Sequence, residues 1–269
     1  MDATTDTTQQ AGLALVTGAS TGIGRSVAHE LARRGYDVVL AADEPEIHAA
    51  AAEVASAHGV DARPVQVDLT RPEEVGHLWR EASGSGRPVD VVVLNAGVGV
   101  GGTFADTALE RHLRLVDLNV RSTVHLAKLA VDDMVRRGAG RILVTASIAA
   151  VAPNPFQATY AASKAFVHSF AEGIRHELQD TGVTVTSLMP GPTDTEFFRR
   201  ADLLDTALGQ GPKDDPDEVA RDGLDALFAG KPHVVAGSFK NRALAELATH
   251  LPDRLTTKAM AAQTRKKDD

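Results

Sequence analysis

Short apolar runs that alternate with longer stretches of helical periodicity constrain the fold of this chain more than any other feature. The runs are four to six residues long and rich in Val, Leu and Ile. Continuously apolar strands separated by helices are typical of a parallel sheet buried on both faces. With right-handed crossovers, the pattern predicts a doubly wound α/β fold of the Rossmann type, with a seven-stranded, mostly parallel sheet and helices on both faces.

The positions of these elements follow from the same periodicity. Strands are predicted at Leu13–Thr17, Tyr36–Ala41, Arg63–Gln66, Val89–Leu94, Arg141–Ala146, Thr184–Met189 and His233–Ala236. Helices are predicted over Gly22–Arg34, Glu44–His58, Pro72–Glu81, Leu109–Arg137, Phe156–Asp180 and Pro216–Phe228.

A chain of 269 residues fits one packed domain of this class. The polar residues 1–11 are expected to form a disordered N-terminal arm, and residues 12–240 the dinucleotide-binding and catalytic body. Within that body, residues 190–216 are rich in Pro, Gly and Asp and follow the sixth strand directly, which predicts a mobile flap over a site. Residues 241–269 are expected to form C-terminal helices and a charged, frayed tail.

Composition excludes several classes of function. The formal net charge is −8, which disfavours binding to nucleic acid and to anionic membrane surfaces. The absence of cysteine excludes thiol chemistry and sulfur-ligated zinc, and the scattered histidines form no metal-binding motif. The chain also lacks an apolar run long enough to cross a membrane, so it is expected to be soluble and cytoplasmic.

A glycine-rich segment, TGASTGIG at residues 17–24, follows the first strand and opens the first helix. Its glycines, Gly18, Gly22 and Gly24, permit a tight turn and let the backbone approach a phosphate, while the helix N-terminus presents free amides to an anion. The segment therefore predicts a dinucleotide pyrophosphate site. The alternative is a glycine-rich turn that binds no ligand.

The end of the second strand bears on the choice of nucleotide. Asp43 and Glu44 stand there without a basic neighbour, and a carboxylate accepts hydrogen bonds from ribose hydroxyls but repels a 2′-phosphate. NAD(H) is therefore favoured, and NADP(H) remains open because Arg25 can turn toward a phosphate. Asp43 can instead be a solvated surface acid. Asp68 is a candidate partner for the adenine amino group or, alternatively, an N-cap of the next helix.

Four polar residues form a candidate catalytic set. Tyr160 and Lys164 lie four residues apart on one helix face, where an ammonium can stabilise a phenolate and lower its pKa. Ser147 ends the fifth strand at the sheet edge where ligands bind, and its hydroxyl can hold a substrate carbonyl. Asn119 lies inside a predicted helix, an unfavourable place for an amide unless it holds a water near Lys164. Taken singly, they can equally be a solvated lysine, a strand-end cap and an exposed helical amide.

Several motifs together resemble the single-domain short-chain dehydrogenase/reductase family. They are TGASTGIG, NAG at Asn95–Gly97, Asn119, Ser147, YAASK at residues 160–164 and PGPTDT at Pro190–Thr195. The resemblance covers roughly Leu13 to Phe198. Two departures are Leu94, where the family often has asparagine, and Ala146, where it often has a second serine.

The resemblance implies a catalytic tetrad of Asn119, Ser147, Tyr160 and Lys164. In it, Tyr160 transfers a proton, Lys164 also binds the nicotinamide ribose, Ser147 polarises the carbonyl and Asn119 supports a proton-relay water. Cofactor contacts are implied for Gly18, Ser20, Thr21, Gly22, Ile23, Gly24, Asp43, Asp68, Leu69, Asn95, Ala96, Gly97, Tyr160, Lys164, Pro190, Gly191, Thr193 and Thr195.

The implied reaction is hydride transfer between nicotinamide C4 and a small carbonyl or secondary alcohol substrate. Phe197 and Phe198 in the flap favour a hydrophobic one. A homodimer or homotetramer is implied, with Leu109–Arg137 and Phe156–Asp180 as contact helices. The alternatives are an epimerase or dehydratase that transfers hydride transiently, and a catalytically silent NAD(H)-sensing regulator or scaffold of the same fold.

Overall fold

The computed structural model describes residues 12–84, 86–238 and 253–266, and the predicted N-terminal arm lies outside them. Seven strands form one sheet in the order β3-β2-β1-β4-β5-β6-β7, and every neighbouring pair is parallel. The strands are β1 Leu13–Thr17, β2 Asp37–Ala42, β3 Ala62–Gln66, β4 Val91–Leu94, β5 Gly140–Thr145, β6 Val183–Pro190 and β7 His233–Ala236. The predicted doubly wound Rossmann-type fold is confirmed.

Helices cover both faces of the sheet. Those before the sixth strand are α1 Gly22–Arg33, α2 Ile47–His58, α3 Pro72–Ser83, α4 Leu109–Val116, α5 Ser122–Arg137 and α6 Ala158–Glu177. Those after it are α7 Phe197–Arg200, α8 Ala207–Gln210, α9 Pro216–Phe228 and α10 Asp253–Thr264. None of the helices in the described ranges is long and apolar enough to span a bilayer.

The alternation of side chains along the strands produces two separate apolar cores. In β1, Leu13 and Leu15 face the core formed with α3, α5 and α6, whereas Ala14 and Val16 face the one formed with α1, α2 and α9. Successive side chains of a strand point to opposite faces, so a strand buried on both faces must be apolar throughout. This requirement is the physical origin of the uninterrupted apolar runs in the sequence.

The predicted helix Leu109–Arg137 is interrupted. A π-helical turn, Asp117–Arg121, separates α4 from α5, and Asn119 lies in its middle. Its side chain bonds the backbone of Val98, with the Val98 amide donating to Oδ1 at 2.9 Å and Nδ2 donating to the Val98 carbonyl at 3.0 Å. The wider turn accompanies an amide turned into the protein, which is common where π turns occur at functional sites.

Other predicted boundaries shift by a few residues for local reasons. The helix predicted from Phe156 begins at Ala158, since Phe156 has a left-handed φ of 61°. The helix predicted from Glu44 begins at Ile47, after a turn in which the Ile47 amide donates to the Glu44 carbonyl. Tyr36, predicted in a strand, instead closes α1 by donating its amide to the Leu31 carbonyl.

The segment predicted as a flap, residues 190–216, contains α7 and α8. Its two ends meet at an isolated bridge between Thr193 and Asp214, and Phe198, Ala201 and Leu203 form a small apolar cluster inside it. These contacts give the segment a core of its own. We call residues 190–216 the substrate segment below.

The described part of the C-terminal region packs against the domain. Thr264 at the end of α10 is 2 % exposed, and its hydroxyl donates to the Pro155 carbonyl at 2.7 Å. Arg265 lies over the ring of Phe156, and Lys266 pairs with Thr206 of the substrate segment. The tail expected to fray is therefore anchored through residue 266.

Candidate active site

A cavity of about 360 Å³ opens at the carboxyl edge of the sheet, where the strand order reverses between β1 and β4. In open α/β sheets, ligands bind at this switch point. Every residue predicted to contact the cofactor lines this cavity, as do Tyr160 and Lys164 of the catalytic set. Ser147 and Asn119 lie directly behind its wall, where they bond the backbone and side chains that form it.

The glycine-rich loop forms a cradle with no room for side chains. Gly18 has a φ of 64°, and a Cβ there would lie 2.9 Å from the Cα of Ala96. A Cβ at Gly24 would lie 2.1 Å from the carbonyl oxygen of Gly18, and one at Gly22 would lie 2.8 Å from Thr195. The three glycines therefore let loop, strand and helix approach one another at the cavity. This shape fits a dinucleotide pyrophosphate.

The start of α1 adds the electrostatics that such a ligand requires. Thr21 occupies the N-cap position, its side chain makes no capping hydrogen bond, and no acidic residue lies in the first turn. The first amides of the helix therefore stay available on the cavity side, at the positive end of the helix dipole. An anionic group is the partner that this arrangement favours.

Asn95, at the end of β4, fastens the glycine loop to the sheet. Its Nδ2 donates to the carbonyls of Thr17 at 3.0 Å and Gly18 at 3.2 Å. The Thr17 hydroxyl in turn accepts from the amides of Asn95 and Ala96 and donates to the Val93 carbonyl. These bonds fix the loop geometry before any ligand binds, and Leu94, where the family often has asparagine, is buried in the core and takes no part in them.

Tyr160 and Ser147 come together across the catalytic end of the cavity. Tyr160 is 9 % exposed, and its burial raises the pKa of the phenol to about 12, an effect that a hydrogen bond with Ser147 partly offsets. The Ser147 hydroxyl also accepts from the Ala149 amide at 3.1 Å, so the expected strand-end cap exists as well. A buried phenol with this pKa needs a nearby positive charge to exchange a proton near neutral pH.

Lys164 supplies that charge from the next turn of α6. Its ammonium is buried, lies 5.9 Å from the centre of the Tyr160 ring and donates to the Thr145 carbonyl at 2.8 Å. Burial lowers the pKa of Lys164 to about 8. The alternative of a solvated helix charge is thus wrong.

Asn119 is 2 % exposed, so the alternative of an exposed helical amide is wrong as well. Its Nδ2 also donates to the Ser163 hydroxyl at 3.0 Å. A Cβ at Gly97 would lie 3.2 Å from Oδ1 of Asn119 and 3.3 Å from Nζ of Lys164. Gly97 therefore keeps open a small space between the amide and the ammonium, where a water molecule would have polar partners on two sides.

The other end of the cavity carries acids. Asp43 and Glu44 follow β2, and Asp68 follows β3. Asp68 accepts from the amide and hydroxyl of Thr70, and these bonds, with Arg114 nearby, outweigh its burial and lower its pKa. The alternative role of Asp68 as an N-cap is wrong, because Arg71 holds the N-cap position of α3.

A known protein family matches most of the chain. The family model described as short chain dehydrogenase covers residues 12–203. The chain belongs to the short-chain dehydrogenase family. It is 33 % identical over 216 residues to an uncharacterized oxidoreductase of Staphylococcus saprophyticus, a match that covers 80 % of this chain and 90 % of that protein.

Solved structures agree with this membership. A short-chain dehydrogenase from Sphingobium yanoikuyae in complex with NADPH superposes with a TM-score of 0.78 at 31 % identity, covering 83 % of this chain and 87 % of that one. An alcohol dehydrogenase from the archaeon Thermococcus sibiricus, complexed with 5-hydroxy-NADP, gives 0.74 at 26 % identity, with 86 % and 97 % covered. This short-chain dehydrogenase is an NAD(P)-dependent oxidoreductase.

Sequence reasoning missed several residues of this dehydrogenase's site. Ser163 and Val98, which hold Asn119, carry no motif of their own. Arg114 and Arg200 reach the acids after β2 from 71 and 156 residues away. His168, one turn beyond Lys164, bonds Ser187 at 2.9 Å and belongs to the packing of α6 on β6. Only the coincidence of Asn119 with a helix interior signalled part of this arrangement.

The buried ammonium predicts a trade of stability against function. Lys164→Met is expected to raise the free energy of unfolding by about 1 to 3 kcal/mol at pH 7, because methionine fills similar volume without a buried charge. The native pKa of Lys164, about 8, lies below its ordinary 10.5, so the charge penalty is complete below pH 8 and disappears above 10.5. Urea unfolding at pH 7 and pH 10.5 measures both values, and an equal difference at the two pH values would contradict the assignment.

Proposed function

We propose that this short-chain dehydrogenase interconverts a carbonyl compound and a secondary alcohol, with Tyr160 as the general acid and base. The observation that carries the proposal is the convergence of the Tyr160 phenol, the Ser147 hydroxyl and the Lys164 ammonium at one end of the nucleotide cavity. Bound nicotinamide supplies the hydride to the carbonyl carbon or accepts it from the alcohol carbon.

The protein groups divide the remaining work. Tyr160 donates its phenolic proton to the substrate oxygen in reduction and takes it back in oxidation. Ser147 holds that oxygen by a hydrogen bond and orients it toward the phenol. The Lys164 ammonium stabilises the phenolate, and Asn119, fixed by Val98, holds a water that returns the proton from solvent.

The substrate side of the cavity is apolar. Phe197 lies 5.1 Å from Tyr160, ring centre to ring centre, and packs with Val98 and Val100 around it. Phe198, buried in the substrate segment, lines the same cavity. A hydrophobic ketone or alcohol is the substrate class that this lining favours.

Asp43 and Glu44 support a preference for NAD(H) over NADP(H). Both carboxylates line the cavity at the end of β2, where they can accept from ribose hydroxyls. Arg25, the basic residue next to the glycine loop, is paired with Glu53. Asp43 is half-exposed and bonds Arg114, so it is neither isolated nor simply solvated.

Assembly and location remain predictions. A homodimer or homotetramer is proposed through the predicted contact helices, whose described parts expose Leu109, Leu113 and Val135 on α4 and α5 and Phe166 on α6. Size-exclusion chromatography with light scattering tests it. Cytoplasmic location stays a prediction from composition.

A binding and turnover screen tests the proposed activity. NADH and NADPH are titrated side by side, and hydrophobic ketones and alcohols are then offered with the preferred nucleotide. Net conversion of nicotinamide in stoichiometry with product supports the proposal. Product formed with no net change in the nicotinamide would indicate an epimerase or dehydratase, and nucleotide binding without turnover would indicate a silent regulator.

The C-terminal contacts predict an effect on substrate binding alone. Thr264→Val removes the hydroxyl that holds Pro155, in the loop between Ser147 and Tyr160, and leaves that carbonyl without its partner. We expect KM for the ketone to rise severalfold while Kd for the dinucleotide stays unchanged, since the loop borders only the catalytic end.

The matched control is Thr181→Val, which removes a similar threonine hydroxyl bond, to the Leu178 carbonyl at 2.7 Å, at the far end of α6. Thermal melts of both variants report the shared loss of about 1 kcal/mol per hydrogen bond. An equal KM for the two variants would show that the C-terminal contact does not shape the substrate site.

A further inference from the structure

Arg200 brings a positive charge to the end of the cavity where the sequence shows only acids. It is the last residue of α7 and lines the cavity. Its guanidinium lies 2.6 Å from Oε1 of Glu44, and Nη2 donates to Oε2 at 3.3 Å. Phe197, at the start of the same short helix, contacts Tyr160. α7 thus spans the cavity from the catalytic end to the end of β2.

Glu44 is held from two sides. Besides Arg200, it accepts from the Ser20 hydroxyl of the glycine loop at 2.9 Å. Its carboxylate is 30 % exposed and the guanidinium 38 % exposed, so both groups remain reachable by a ligand in the cavity. The pairing cancels most of the repulsion that an isolated carboxylate would exert on an anionic ligand.

The neighbouring acids are neutralised in a similar way. Arg114, on α4, lies 3.1 Å from Asp43 and 3.5 Å from Asp68. Three carboxylates therefore face two guanidinium groups, and the local charge is one negative instead of the three that the strand ends alone suggest. Of the two arginines, Arg200 is the one that lines the cavity.

We propose that Arg200 is a cofactor-specificity residue, which leaves Glu44 and binds the 2′-phosphate of NADP(H). The proposal rests on the proposed nucleotide site. A planar guanidinium pairs with phosphate through two parallel hydrogen bonds. With NAD(H), Arg200 stays on Glu44, which keeps its second oxygen for a ribose hydroxyl. The site therefore takes NAD(H) more readily but accepts both nucleotides, although β2 ends in acids.

Binding titrations of NADH and NADPH, followed by the fluorescence of the reduced nicotinamide, test this assignment without turnover. Arg200→Gln is expected to raise Kd for NADPH about 10- to 100-fold, the effect of losing one charge-assisted contact. Kd for NADH should change less than threefold. Arg199→Gln is the matched control, because Arg199 is the preceding residue and pairs with Glu196. It should leave both constants unchanged.

Two further variants sharpen the result. Arg200→Lys keeps the charge without the planar fork, so its NADPH affinity should fall between those of the wild type and Arg200→Gln. Glu44→Gln releases Arg200 and should tighten NADPH binding, and the double variant with Arg200→Gln should lose that gain.

An unchanged ratio of the two constants in Arg200→Gln, an equal loss for both nucleotides, or undetectable NADPH binding to the wild type would overturn the role of Arg200. Failure of the wild type to bind either nucleotide would instead overturn the proposed function. Circular dichroism melts confirm that each variant is folded before it is compared.

Discussion

Tyr160→Phe is expected to lower kcat about 10²- to 10⁴-fold, the usual contribution of a positioned acid or base. The substitution removes one oxygen and keeps the ring, which packs against Phe197 at 5.1 Å. Kd for the dinucleotide should therefore barely change. Steady-state kinetics with the preferred ketone and a parallel nucleotide titration separate the two effects.

The chain provides a matched control for this variant. It has only two tyrosines, and the other, Tyr36, lies just before β2 with its ring against Phe228, on the opposite face of the sheet from the α6 helix. Tyr36→Phe removes the same oxygen away from the cavity and should leave kcat unchanged. A Tyr160→Phe enzyme as fast as the Tyr36→Phe one would remove the proposed role of the phenol.

Gly18→Val is expected to weaken dinucleotide binding at least about tenfold, through backbone strain and crowding of the loop. A side chain there meets the Cα of Ala96 at 2.9 Å and Nδ2 of Asn95 at 3.1 Å, so either the loop or the end of β4 must move. Isothermal titration with NADH or NADPH measures the loss.

Strain and crowding are separated by a second glycine. Gly59 ends α2 with a φ of 68°, close to the 64° of Gly18, but a Cβ at Gly59 would have no heavy atom within 4 Å. Gly59→Val thus carries the backbone cost alone and should lower thermal stability while leaving nucleotide affinity intact. Equal nucleotide affinities in the two variants would contradict the assignment of the loop as the nucleotide cradle.

The parts of the site that the sequence predicts are those built from local patterns. The glycine loop is contiguous, and its position between a strand and a helix dictates where it lies in a doubly wound sheet. Tyr160 and Lys164 share a helix face because their spacing is one turn. Ser147 reaches them because strand ends of a parallel sheet meet at one edge. Each of these inferences needs only secondary structure and topology.

The parts that the sequence does not predict depend on contacts between distant segments. Arg200 meets Glu44 only after the substrate segment folds over the cavity, and Arg114 meets Asp43 only after α4 packs beside it. The π turn at Asn119 exists together with its bonds to Val98, which lies 21 residues earlier. Phe156 has a left-handed backbone without a glycine to announce it. No local periodicity encodes such pairings.

The most direct test of the central claim follows a labelled hydride. Reduced nucleotide carrying deuterium at nicotinamide C4 is incubated with the enzyme and a hydrophobic ketone, and the alcohol is analysed by mass spectrometry. The proposed mechanism predicts one deuterium on the carbinol carbon for each nucleotide oxidised, with transfer greatly slowed in Tyr160→Phe. Alcohol without deuterium, or full transfer by Tyr160→Phe, would contradict it.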